Sequence, residues 1–191
     1  DFGGVGDGVT LNTEAFSKAM KHLSDKGGGH LDVPAGIWLT GPIEIMSNCD
    51  LHVTPNAVII FDPDRDLYPI IKTVFEGLDT RRCESPLHAE GAHNISITGG
   101  GVIDGSGEAW RMVKKSKLTE GEWKKLVASG GVVSRDGRIW YPDEGFETAS
   151  KISNMNVPPS ELTDEQWNSI KSFLRPNMVS LRNCENVLLE D

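Results

Sequence analysis

Three ten-residue stretches of this chain share one pattern: EIMSNCDLHV (44–53), HAEGAHNISI (88–97) and SLRNCENVLL (180–189). Aligned without gaps, they bring Asp50, Asn94 and Asn186 together, then Leu51, Ile95 and Val187, then Val53, Ile97 and Leu189. A short polar residue suits a tight turn, and an apolar-x-apolar pair suits a strand with one buried face. Further short strands read at GIWLT (36–40), AVIIF (57–61) and GGVID (100–104), with PAG, TPN and TGGG between them. Such a succession fits a sandwich, a barrel or a β-solenoid. Asparagine returning at one place in the unit favours the solenoid, in which each rung sets its turn residue on the next. Leu51, Val53, Ile95, Ile97, Val187 and Leu189 are then predicted to be buried and stacked in register.

A solenoid needs its bare end covered, because an open strand edge invites aggregation. The opening DFGGVGDGVTLNTEAF (1–16) supplies a helix for that task. Asn12 or Thr13 can cap it. Ala15, Phe16, Ala19, Met20 and Leu23 fall on one face, and Gly27 provides a left-handed stop. The glycines do not form a dinucleotide loop. The third glycine of G-x-G-x-x-G would fall on Val9 or Leu11, and no strand precedes the run. Asp7 and Asp104 sit in glycine turns, where an Asp side chain closes the turn on the backbone.

The chain has 191 residues, 38% hydrophobic and 25% charged, with a net charge of −9. That balance disfavours nucleic acid, whose phosphates call for a basic face. No apolar run approaches the ~18 residues of a membrane span. Cys49, Cys83 and Cys184 cannot all pair within the chain and match no zinc spacing, so free thiols are expected. DPDRD (62–66) starts like a calcium loop, but Leu67 and Thr73 stand where glycine and glutamate are needed. No metal or cofactor is implied.

DFGGVGDGVTLNTEAF, GGGHLDVPAGIWLTGPIEIMSNCDLHVTPNAVIIF and SPLHAEGAHNISITGGGVIDGSGEAW resemble the N-terminal third of polygalacturonases, glycoside hydrolase family 28. RPNMVSLRNCENVLLED resembles that family's next rung. The opening is similar across the wider pectin-lyase-like superfamily, whereas SPL…NISITGGGVIDGSGEAW is closer to the hydrolases. The resemblance implies an all-β, right-handed parallel β-helix with an N-terminal capping helix. It also implies metal-independent, inverting hydrolysis of α-1,4-galacturonosyl bonds in pectin, and a secreted or periplasmic setting. In inversion one carboxylic acid protonates the leaving oxygen while a second carboxylate activates water on the opposite face. The family carries its catalytic groups on later rungs, in N-T-D, D-D, G-H and R-I-K motifs. No catalytic position transfers onto a residue here, and these groups are expected beyond residue 191. A lyase or epimerase on the same fold, or a non-catalytic carbohydrate-binding or tailspike-type solenoid, are the alternatives.

The candidate substrate-binding residues are Arg81, Arg82, Trp110, Arg111 and Lys114. Arginine grips a carboxylate through two parallel hydrogen bonds, which suits a uronate. The plainer role for Arg81 and Arg82 is a surface salt bridge to Glu76 or Glu84. Residues 112–174 read as an insertion between rungs, set to wall one side of a cleft and to favour chain-end attack. KLTEGEWKKL (117–126) and ELTDEQWNSI (161–170) each carry a capping box and a hydrophobic staple, predicting helices near 120–129 and 164–174. VVSRDGRIWY reads as a hairpin turning at Asp136-Gly137. Arg111, Lys114, Lys115, Lys117, Lys124 and Lys125 make a basic cluster that can attract a polyuronate or simply be a solvated face. Trp110 and Trp140 can stack on a sugar or pack the insertion.

Overall fold

A computed structural model describes residues 2–191. In chain order the strands are β1 (Gly29–Val33), β2 (Gly36–Thr40), β3 (Ile43–Glu44), β4 (Cys49–Val53), β5 (Ala57–Phe61), β6 (Ile70–Phe75), β7 (Leu78–Cys83), β8 (Leu87–Glu90), β9 (His93–Thr98), β10 (Val102–Asp104), β11 (Val113–Lys114), β12 (Val132–Val133), β13 (Ile139–Tyr141), β14 (Val179–Arg182) and β15 (Glu185–Leu189). The helices are α1 (Thr13–Asp25), α2 (Glu120–Ala128), α3 (Glu144–Ile152) and α4 (Asp164–Ser169). The chain divides into two compact units. One comprises the residues up to Tyr68 with 84–106 and 177–191, and the other comprises 69–83 with 107–176.

The first unit is a coil of parallel strands. β1, β4, β9 and β15 form one sheet, β2, β5 and β10 a second, and β3, β8 and β14 a third. The chain visits these sheets in the same order on each circuit. Inward side chains therefore stack: Leu31, Leu51, Ile97 and Leu189 form one row, Trp38, Ile59 and Ile103 another. Ile43, Leu87 and Val179 form a third. The connection from the second sheet to the third spans residues 41–42 in the first circuit, 62–86 in the next and 105–178 in the one after. Most of the second unit's residues lie within the two longer connections.

The turn asparagines form a ladder, in a register that differs from the sequence alignment. Asn94 Nδ2 donates to Asn48 Oδ1 at 2.9 Å, and Asn186 Nδ2 donates to Asn94 Oδ1 at 2.9 Å. Asn48, Asn94 and Asn186 have φ of 60°, 52° and 55°, the left-handed region that asparagine tolerates. Asp50 instead pairs with Ser96, and Leu51 pairs with Ile97. The first stretch is thus displaced by two residues from the gapless alignment. A shift of two keeps every side chain on its own face of a strand, so apolar alternation cannot detect it. In the circuit below, the equivalent place is Gly28, with φ of +121°. A Cβ there would lie 2.3 Å from Asn48 O.

Leu51, Val53 and Ile95 are buried, and Ile97 is half-buried. Val187 and Leu189 depart from the expectation, at 42% and 57% exposed. They lie on β15, the edge of its sheet, where no described strand covers their outer side.

α1 packs Phe16 and Met20 into the core of the coil, with Leu23 partly buried against it. Asn12 occupies the N-cap place but makes no capping bond. Its Oδ1 accepts from Val5 N at 2.7 Å, and its Nδ2 donates to Val5 O, Thr10 O and Leu39 O. The side chain thus ties the glycine-rich opening to β2 rather than to the helix. Asp7 Oδ1 accepts from Val9 N and Thr10 N, and Asp104 Oδ1 accepts from Ser106 N. Both close turns.

In the second unit, β6 and β7 form an antiparallel hairpin turning at Glu76 and Gly77, both with positive φ as a two-residue hairpin turn requires. β12 and β13 pair antiparallel around Asp136-Gly137, and β11 joins the other side of β13. Thr119 with Glu122 and Thr163 with Gln166 complete capping boxes. α4 stops at Ser169 and gives way to a 3₁₀ turn over Lys171–Phe173, shorter than the sequence spacing predicts. α3 was not legible from the motifs considered. Asp143 caps it through Phe146 N at 2.8 Å, and Phe146 and Ala149 bury its inner face.

Candidate functional site

The strand alternation of β7 sends Arg81 and Arg82 to opposite faces. Arg81 pairs across the hairpin with Lys72, and Thr80 pairs with Thr73. Two cations directly opposite on one face repel, so this face is predisposed to a carboxylate. One comes from the protein: Arg81 donates from Nη1 to Asp164. The Asp164 side chain is 82% exposed, so this pair adds little stability. The Arg81 guanidinium also lies 5.5 Å from the Trp167 ring centroid.

Lys72, Thr73, Thr80, Arg81 and Trp167 line a cavity of about 520 Å³, together with Val74, Asp79 and Ser160. Trp167 is buried, and its indole Nε1–H has no hydrogen-bond partner. A buried donor without a partner costs roughly 1–3 kcal/mol. The cavity therefore combines two cations, the carboxylate of Asp79, hydroxyls from Thr73, Thr80 and Ser160, and a buried indole behind Arg81. That chemistry matches a polyhydroxylated carboxylate. A guanidinium provides two parallel donors for the carboxylate, and hydroxyls match ring hydroxyls, while the buried Trp167 ring backs the Arg81 guanidinium.

The other sequence candidates have different surroundings. Arg82 is buried, with Nη1 donating to Arg175 O at 2.6 Å and Nη2 to Asn156 O at 3.3 Å. Its guanidinium stacks 3.7 Å over the Phe75 ring. Burial, reinforced by the charge of Arg175, brings its pKa down to about 10. Arg82 thus ties β7 to neighbouring backbone within its unit. Trp110 is 2% exposed and offers no ring face to a sugar. Arg111 is exposed. Arg175 has its pKa lowered by burial and then by the charge of Arg111. Lys114 is exposed on β11, opposite Ile139. Neither Arg111 nor Lys114 lines the Arg81 cavity. Lys72, Thr73, Thr80, Ser160 and Trp167 are the residues that sequence reasoning missed. The pairing of Lys72 with Arg81 was readable only if residues 70–83 were taken as a hairpin, and Glu76-Gly77 is a weaker turn signal than Asn-Gly or Asp-Gly.

No family model matches the chain. It is 41% identical over 119 residues to a probable polygalacturonase of Vitis vinifera, covering 58% of this chain and 24% of that protein. It is 26% identical over 198 residues to an exo-poly-α-D-galacturonosidase of Dickeya chrysanthemi, covering 100% of this chain and 30% of that protein. Among solved structures, a hyperthermoactive exopolygalacturonase from Thermotoga maritima superposes with a TM-score of 0.69 at 35% identity, over 99% of this chain and 39% of that one. The chain is related to polygalacturonases and exopolygalacturonases, and spans about a quarter to a third of the length of these curated relatives.

Proposed function

We propose that this chain is part of a galacturonan hydrolase of the exopolygalacturonase kind, built on a right-handed parallel β-helix, and that its second unit carries a uronate-binding subsite centred on Arg81. The reaction is hydrolysis of α-1,4-galacturonosyl bonds with inversion. The cavity is the observation that carries the subsite: a guanidinium lying over a buried indole, opposite a lysine, among hydroxyl side chains. In this reading Arg81 and Lys72 take the carboxylate, and the buried Trp167 orients Arg81 from beneath. Arg82 and Trp110 hold the surrounding structure, while Arg111 and Lys114 belong to a basic segment that draws the polyanion in. Residues 112–174 are an insertion in the longest connection from the second sheet to the third, and the β6–β7 hairpin belongs to the connection one circuit earlier.

The test is discrimination by charge. In the complete enzyme, Arg81→Ala should raise KM for oligogalacturonate about tenfold or more, the equivalent of about 1.4 kcal/mol or more, which meets the lower end for a hydrogen bond to a charged group. KM for the methyl-esterified oligomer should change far less. An equal effect on both substrates would remove the carboxylate from this site.

A further inference from the structure

The Arg81 cavity already holds a carboxylate of the protein against its guanidinium, and the charges balance only while that carboxylate is in place. The charged residues lining the cavity are Lys72, Asp79 and Arg81. Asp164 joins them through its ion pair with Arg81, and the four charges then sum to zero. With Asp164 turned out to water, Lys72, Arg81 and Asp79 leave one net positive charge, which one ligand carboxylate neutralises.

The pair is poised to open. The Asp164 side chain is 82% exposed, and an exposed ion pair gains little from its attraction. Asp164 is the first residue of α4, yet the helix does not depend on its carboxylate. Thr163 Oγ1 accepts from Gln166 N, and Gln166 Oε1 accepts from Thr163 N. Asp164 O accepts from Asn168 Nδ2 at 2.9 Å. The carboxylate can therefore turn away while its backbone stays. Arg81 need not follow, because its guanidinium lies 5.5 Å from the Trp167 ring centroid, within reach of a cation–π contact. Trp167 follows Asp164 by one helical turn and is 1% exposed in the cavity wall, with its indole Nε1–H unpartnered. A surface ion pair with no ligand to receive would need neither the open volume nor the unsatisfied donor beside it.

Resting on the uronate reading of this subsite, we infer that Asp164 determines its specificity, as a resident carboxylate that the ligand's own carboxylate must displace from Arg81. A uronate exchanges with Asp164 and then remains near its displaced charge, so it binds more weakly than Arg81 and Lys72 alone would hold it. A methyl-esterified sugar has no charge to exchange and leaves the pair closed. Asp164 therefore lowers the preference for free acid over ester, and it closes the pair again as a uronate product departs.

The experiment is an NMR titration of the chain, ¹⁵N-labelled at tryptophan, with galacturonate and with its methyl ester. The readout is the indole Nε1–H resonance that Trp167→Phe removes. Galacturonate should shift it saturably, and Asp164→Asn and Asp164→Ser should each tighten Kd about two- to fivefold, the worth of an exposed ion pair. Asp164→Glu, which keeps the charge, should stay near the wild-type value, and the methyl ester should not distinguish the variants. Adding Arg81→Ala to Asp164→Asn should abolish the gain. Equal galacturonate affinity in wild type and both uncharged variants, each shown folded by a thermal melt, would overturn the inference and leave the subsite standing. A gain shared by the ester would also overturn it, since no charge is then exchanged. A Trp167 resonance unmoved by galacturonate in every variant would remove the subsite itself, and the inference with it.

Discussion

Asp50 has only 6% of its surface exposed, yet its carboxyl titrates below the ordinary carboxylate value. Burial pushes it up, and the hydrogen bonds from Ser96, His30 and Thr98 outweigh that push. A depressed folded pKa contributes stability above the unfolded value, and that stability is lost as pH falls through the folded one. The urea midpoint should therefore fall from about pH 5 to about pH 3, and Asp50→Asn should flatten this part of the profile. A slope unchanged in the variant would locate the acid sensitivity in other carboxylates. Burial separates residues that share a sequence pattern. Leu51→Ala should cost about 2–4 kcal/mol, because it opens a cavity in a closed row. Leu189→Ala, half-exposed on the edge strand, should cost under about 1 kcal/mol in this chain by the same denaturation assay. Sequence reasoning placed both in one apolar row and could not tell them apart. The alternation of Arg81 and Arg82 shows the same limit: the residue type was legible, and the face it occupies was not.

At the scale of elements, the asparagine ladder and the helix caps respond differently to change. Asn94 Nδ2 donates to Asn48 and Asn94 Oδ1 accepts from Asn186, so it holds two links at once. Asn94→Gly keeps the left-handed backbone and loses both links, with an expected loss of about 1–2 kcal/mol. Asn94→Ala should lose about 1–2 kcal/mol more, because a Cβ is unfavourable at φ of 52°. Equal losses in the two variants would mean that the left-handed backbone adds no cost for a Cβ, and a negligible loss in Asn94→Gly would mean that the amide links contribute nothing. Thr119→Ala and Thr163→Ala should each cost about 1 kcal/mol, seen as faster amide exchange in the first turns of α2 and α4. Those caps were legible because their signal is local, four residues long and chemically specific. The β6–β7 hairpin was not, because its turn lacks that specificity and its partners lie some eighty positions away.

For the whole molecule, the coil was readable and its register only partly so. Repetition of turn and strand identified the architecture, while the two-residue offset needed the amide links themselves. The role proposed for the basic segment belongs to this larger scale, since charges reach beyond contact distance. Lys114→Glu with Lys115→Glu in the complete enzyme should raise KM for oligogalacturonate and flatten its dependence on salt. Unchanged kinetics would leave these lysines as a solvated surface. The place where the coil opens has another consequence. Two residues, 25 residues and 74 residues, spanning 41–42, 62–86 and 105–178, occupy the same junction in successive circuits. Each doubling of such an excursion costs only about 0.6 kcal/mol in closure entropy, provided that its ends return to neighbouring strands. The strands thus act as a rack, and what hangs from it can lengthen, shrink or be exchanged without rewriting the frame. The chemistry displayed at this junction can then change at the pace of a loop while the core that supports it stays fixed.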